Sequence, residues 1–194
     1  MKNYITGRSK PFYGWFVVFL AFLALNTYGV FYSYSAFITP LEAELQTNRA
    51  GISGAYTTFL AVYSLFAIPM GWLADRYGPR RMLWLAALLI GGGFVLSSTI
   101  TSLWQLYLLF GVMAGIGHGA IFVVPTSTVS RWFAQRRGLA LGMAVCGVGT
   151  GLLVLPPIAA RLIEAYSWQT TFIFLGVVAF IINVVVGALI KGKP

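Results

Sequence analysis

Six long apolar runs, separated only by short polar breaks, dominate the sequence; they cover roughly 14–38, 51–73, 81–99, 103–129, 138–160 and 168–190. Each is long enough for the ~20 residues an α-helix needs to cross the hydrocarbon core of a bilayer. Backbone N–H and C=O groups find no water there, so segments of this kind must be helical. The breaks carry turn chemistry: Thr47-Asn48-Arg49, Arg76-Tyr77-Gly78-Pro79, Ser97-Ser98-Thr99 and Gln135-Arg136-Arg137. The pattern predicts an all-α membrane protein, with residues 1–194 forming a single six-helix transmembrane bundle. Composition agrees, since 9% of the residues are charged where a soluble domain carries roughly 25%. The first run continues without a small-residue cleavage site, so it reads as a span and not as a cleaved leader.

The cations give the bundle a direction. Lys2, Arg8, Lys10, Arg76, Arg80, Arg81, Arg131, Arg136, Arg137, Lys191 and Lys193 fall on one side if the spans alternate, and only Arg49 and Arg161 fall on the other. Three acids, Glu42, Glu44 and Glu164, lie on that other side. The bias of Lys and Arg toward the cytoplasm then predicts both termini cytoplasmic, in a plasma membrane or bacterial inner membrane. The formal net charge of +9 is thus a consequence of topology and predicts no nucleic-acid partner. The tryptophans fit the same map. Trp15, Trp72, Trp84 and Trp132 fall near the cytoplasmic ends and Trp104 and Trp168 near the outer ends, where an interfacial aromatic belt is expected.

Chemistry for catalysis is missing. Cys146 is the single cysteine and His118 the single histidine, and no Ser/His/Asp constellation or metal cluster can be assembled around them. Gly115-x-Gly117-x-Gly119 lies inside an apolar helix and not after a strand, so it is no nucleotide loop. Neither an enzyme nor a cofactor is expected.

The loop between the second and third spans reads Gly71-Trp72-Leu73-Ala74-Asp75-Arg76-Tyr77-Gly78-Pro79-Arg80-Arg81. Gly71 lets a neighbouring helix approach closely. Asp75 can pair with Arg76, Arg80 or Arg81 or face a helix N-terminus, and Gly78-Pro79 turns the chain. The loop resembles the signature of the major facilitator superfamily at every position of that pattern. The resemblance implies one half of that fold, built as two inverted three-helix repeats, with Gly71, Asp75, Arg76, Gly78, Arg80 and Arg81 as a latch that breaks when the transporter changes conformation. In the family this loop braces the second helix against the eleventh, which a six-helix chain lacks.

A narrower likeness runs through Arg131-Trp132-Phe133-Ala134-Gln135-Arg136-Arg137-Gly138-Leu139-Ala140-Leu141-Gly142, the glycines up to Gly151, Pro156-Pro157, and Tyr32-Ser33-Tyr34-Ser35 with Pro40-Leu41 in the first span. This is similar to the monocarboxylate porter and oxalate:formate antiporter branch. Residues preceding the first-span Gly14-Trp15 lack the acid of the animal monocarboxylate transporters, and the span itself carries no lysine.

His118 is the one residue of the His, Asp, Glu, Lys or Arg type deep within a span, which marks it for a solute or proton pathway. A neutral histidine bonded to a neighbouring helix is the competing reading. Gly111, Gly115, His118 and Phe122 recur on one face, while Met113, Ile116, Ala120, Val123 and Val124 are expected to face lipid. Asn26, Tyr28 and Tyr32 in the first span and Tyr56 and Tyr63 in the second are further lining candidates, because tyrosine offers an apolar wall with a hydroxyl tip. They serve equally to pack helices. Gly111, Gly115, Gly138, Gly142, Gly147 and Gly151 recur at four-residue spacing, which suits close helix packing or gating.

The expectation is a secondary transporter, or half of one, moving a small organic solute such as a mono- or dicarboxylate with protons or a counter-transported anion. In the resembled family substrate binds between two six-helix halves, so the chain is expected either to pair with a second copy of itself or to be half of a longer or split protein, its partner then a C-terminal half, separate in the split case. With a second copy, Asp75 is expected beside the partner's fifth span. The alternatives are a non-transporting interaction or regulatory subunit, an inactive half, or half of a drug exporter.

Overall fold

The computed structural model describes residues 11–133 and 135–192. Lys2, Arg8, Lys10, Ala134 and Lys193 lie outside the described residues. Among those described, six helices are long and apolar enough to cross a membrane: α1 (Tyr13–Glu44), α2 (Arg49–Tyr77), α3 (Pro79–Ser97), α4 (Leu103–Trp132), α5 (Arg137–Ala165) and α6 (Trp168–Leu189). Their packing has a simple symmetry: α1 lies along α5, α4 lies along α2, and α3 lies along α6. Two three-helix repeats that exchange their second helices produce this pattern.

Most helix ends follow local chemistry. Asn48 caps α2, its side chain accepting from Gly51 N at 2.8 Å, and Ser167 caps α6 by accepting from Thr170 N. Gly78, at φ +86°, separates α2 from α3, and Pro79 opens α3 where a missing N–H costs nothing. The C-terminal end of α6 is held by other helices. Arg80 donates from Nε to Gly187 O at 3.2 Å and from Nη2 to Ala188 O. Trp84 Nε1 donates to Val184 O at 3.2 Å, Tyr13 to Leu189 O at 2.7 Å and Trp132 Nε1 to Lys191 O at 2.9 Å. Most of these carbonyls belong to the last turn, which has no partners of its own within the helix.

Two helices are irregular. α1 is interrupted at Thr27 and Ser33. Thr27 Oγ1 donates to Ala24 O at 2.6 Å and Ser33 Oγ to Gly29 O at 2.7 Å, and such back-bonds bend helices. α4 winds as a π-helix over Tyr107–Ala114. It then continues as a regular α-helix over Gly115–Trp132 that is packed against α1, α2, α3 and α5, so neighbouring helices and not lipid cover most of its faces. Ala120 and Val124, expected on the lipid side, are buried, whereas Phe122 is exposed.

Burial is uneven. In the most apolar windows of α1 and α4, 67% and 56% of residues are buried, against 17% for α2 and 22% for α5. The bundle therefore has a packed centre formed by α1 and α4, with α2 and α5 left bare along one flank each.

Candidate functional site

The centre of the bundle is an aromatic stack shared by α1, α2 and α4. Phe31 of α1 stacks on Phe59 at 4.2 Å between centroids and on Tyr56 at 4.6 Å, both from α2. Tyr34 of α1 stacks on Phe110 of α4 at 4.3 Å, and its hydroxyl donates to Ile52 O at 2.8 Å. Tyr107 of α4 donates to the adjacent Gly51 O at 3.0 Å. Two tyrosines thus tie α1 and α4 to the first turns of α2. Phe31, Phe59 and Tyr107 do not stand out in the sequence, and Tyr34 does so only as part of the Tyr32–Ser35 run, because an aromatic in an apolar run gives no sign of which ring it will meet.

His118 sits at one end of this stack, fully buried. The Phe59 ring lies 4.9 Å away, Tyr28 5.4 Å edge-on and Phe31 6.0 Å. Its Nδ1 lies 3.2 Å from Ala114 O, the last residue of the π-helical stretch. A carbonyl only accepts, so Nδ1 carries the proton and Nε2 is left as the acceptor in the neutral ring. That Nε2 has no partner, and neither does the buried hydroxyl of Tyr28. Tyr28 also touches Tyr63 and Phe122, each at 6.2 Å between centroids. Tyr32, Tyr56 and Tyr63 are half-buried, and Phe122 is exposed beside Tyr28.

Asn26 takes part in a helix crossing instead of this cluster. Its Nδ2 donates to Thr150 Oγ1 at 2.9 Å and to Gly147 O at 3.4 Å on α5. The crossing is so tight that a Cβ on Gly147 would strike Phe22 O and one on Gly151 would strike Asn26 O. Gly111 and Gly115 approach the α2 backbone less tightly, a Cβ there standing 3.3 Å from Ala55 O and 3.2 Å from Phe59 O. Gly138 and Gly142 behave differently: a Cβ there would meet nothing within 4 Å. They point from α5 into open space and pack no helix of this bundle.

The signature loop has a partner that the sequence reading did not name. Asp75 pairs with Arg131 at the end of α4, not with Arg76, Arg80 or Arg81. The reason is geometric: Arg76 lies over the Trp72 and Tyr77 rings, at 5.5 and 5.7 Å, and Arg80 is committed to the α6 carbonyls. Arg81 is exposed. Gly71 brings α2 against Val123 of α4, where a Cβ would stand 2.9 Å from Val123 Cγ1. The pair thus closes α2 onto α4 within one chain. The two side chains are 64% and 39% exposed, so screening should hold their coupling below about 1 kcal/mol. A double-mutant cycle of Asp75→Asn and Arg131→Gln, read by thermal melting, is expected to return a coupling of that size; several kcal/mol would mean a buried lock.

Among the described residues no group of three or more His, Cys, Asp or Glu side chains could hold a metal ion. Cys146 is exposed on α5.

Comparison with known proteins places this geometry. The profile of the Major Facilitator Superfamily matches residues 14–194. The chain is 27% identical over 194 residues to the oxalate:formate antiporter of Oxalobacter formigenes, covering 98% of this chain and 46% of that protein. It is 32% identical over 181 residues to monocarboxylate transporter 13 of Rattus norvegicus, covering 92% and 42% respectively. Among solved structures it resembles a bacterial homolog of the human lysosomal transporter Spinster in an inward-facing conformation, with TM-score 0.75 and 16% identity over 96% of this chain and 44% of that one. The chain thus spans less than half the length of these relatives.

Proposed function

Because the chain belongs to the Major Facilitator Superfamily, and is a multi-pass integral membrane protein, we propose that it is one six-helix half of a secondary transporter. Its solute is a small organic acid, a mono- or dicarboxylate, carried by alternating access after the chain pairs with a second six-helix unit. That unit is a second copy of the chain or a C-terminal half, whether joined to it in one longer protein or separate. The basic end, with Arg76, Arg80, Arg81, Arg131, Arg136, Arg137 and Lys191, faces the cytoplasm.

The observation that carries this reading is the bare flank. α2 and α5 are the least covered helices, and Gly138, Gly142 and Gly149 of α5 meet nothing. Small residues facing lipid gain nothing from it, whereas small residues facing another helix allow close approach. A central polar and aromatic lining on α1 and α4, flanked by two open helices, suits a wall of a pathway whose other wall lies on another unit. The carboxylate preference is supported by the names of the two relatives, an oxalate:formate antiporter and a monocarboxylate transporter.

The experiment joins two measurements on the purified full chain: particle mass in mild detergent and uptake of labelled lactate and oxalate by proteoliposomes. A mass of two bundles with saturable uptake is expected. A monodisperse single bundle that moves neither solute would instead make the chain a non-transporting subunit or a half that needs a different partner.

A further inference from the structure

The two unpartnered atoms at the centre are complementary. His118 Nε2 is a bare acceptor, because Nδ1 is committed to Ala114 O. The Tyr28 hydroxyl has no hydrogen-bond partner within 3.5 Å, with the Tyr63 hydroxyl its nearest polar neighbour from α2. The two rings stand edge-on at 5.4 Å, on different helices. A buried polar group without a partner is expensive to maintain, and lipid offers no replacement. Two such groups, one an acceptor and one a hydroxyl, on rings 5.4 Å apart form a complementary polar pair in an apolar centre. Both helices are irregular here, α1 at Thr27 and Ser33 and α4 at its π-helical stretch.

The electrostatics narrow the ligand. The rings against His118 are Tyr28 and Phe31 from α1 and Phe59 from α2. The nearby titratable groups are Tyr63 of α2 and Tyr32 of α1, both beside Tyr28. Next to His118, Gly117 faces Ala86, Leu89 and Ile90 of α3. Every Asp, Glu, Lys and Arg of the described chain lies near a helix end. A carboxylate is therefore a poor fit for this pair: it brings a charge and two acceptors to a place with no cation and one free donor. A protonated carboxyl group has one donor and one acceptor, in the opposite order to the pair.

We propose that Tyr28 and His118 form a recognition site for the neutral carboxyl group, whose carbonyl oxygen accepts from the Tyr28 hydroxyl and whose O–H donates to His118 Nε2. This rests on the carboxylate reading above and deepens it: the proton crosses on the solute. Phe122, 37% exposed and 6.2 Å from Tyr28, stands between the pair and the open surface. Affinity then scales with the neutral fraction of the acid, so it falls about tenfold for each pH unit above an ordinary carboxyl pKa.

A primary amide presents the same donor and acceptor at every pH without charge, which makes the test sharp. Propionate and propionamide are titrated into the purified full chain in mild detergent between pH 5 and pH 8, with binding read by thermal shift. Propionamide is expected to bind equally well across the range, and propionate to weaken about tenfold per unit. Tyr28→Phe keeps the ring and its packing and should weaken both ligands about tenfold. His118→Gln, checked for an unchanged elution volume, should weaken both as well. The proposal is overturned if propionamide does not bind, if propionate binds as tightly at pH 8 as at pH 5, or if Tyr28→Phe binds both like the wild type. Uptake of labelled propionate by wild-type proteoliposomes separates the two readings. If uptake persists while any of those three results holds, only this site falls; if uptake is absent while both ligands bind as expected, this site stands and only the self-paired transporter reading falls.

Discussion

Gly151→Ala is expected to lower the melting temperature of the purified chain by about 6–12 °C, corresponding to a loss of about 3 kcal/mol. The added methyl would stand against the Asn26 carbonyl, with Gly29 N 3.0 Å away. Both obstacles are backbone, so no side-chain rotation relieves the clash and α1 must move off α5. That movement would also break the bonds from Asn26 to Thr150 and Gly147. Gly149→Ala, two residues away, meets nothing within 4 Å; it should leave the melting temperature unchanged or raise it slightly, since alanine favours a helix. Thermal melting of the two variants side by side checks the pair. Equal melting temperatures would mean that α1 and α5 do not cross as closely as described.

Gly149→Trp is expected to have the largest functional effect while leaving the bundle intact. It places the bulkiest side chain on the bare flank of α5, where Gly149 is exposed and a Cβ meets nothing within 4 Å. If a second six-helix unit packs there, the indole holds the two apart, and uptake should fall to background while melting stays near the wild-type value. Particle mass in detergent should drop from two bundles to one. A variant that keeps the wild-type mass and transports normally would move the interface off α5. Gly142→Trp, two helical turns earlier on the same face, provides an independent version of the same measurement.

The number and order of the helices were legible because a bilayer imposes one severe condition on a sequence. Each crossing must be long, apolar and internally hydrogen-bonded, and those properties belong to contiguous residues. The helices run a little beyond the apolar runs, α1 to Glu44, α2 to Tyr77 and α5 to Ala165, because a helix continues into the polar interface until a cap or turn stops it. The signature loop was legible for the same reason: Gly71, Asp75 and Gly78 lie within eight residues of one another. Family membership followed from local pattern, and the profile match over residues 14–194 agrees with it.

The candidate site was legible only in part. His118 stood out as an ionisable group in an apolar run, and Tyr28, the residue that faces it, was one of several equivalent tyrosines. The ion pair of Asp75 with Arg131 joins residues 56 apart in the chain, and nothing local in either segment names the other. Ala120 and Val124 are covered because α4 runs through the packed centre, 56% of its most apolar window being buried, and which helices surround it is not written in its own periodicity. The glycines of α5 share one spacing, yet Gly147 and Gly151 hold α1 while Gly138 and Gly142 face outward. Sequence alone determined that six helices span a membrane and which superfamily they belong to, since both depend on contiguous residues. Only the tertiary structure decided which polar atoms were left unpartnered and which glycines were left uncovered, since both depend on neighbours that the chain reaches only after it has folded.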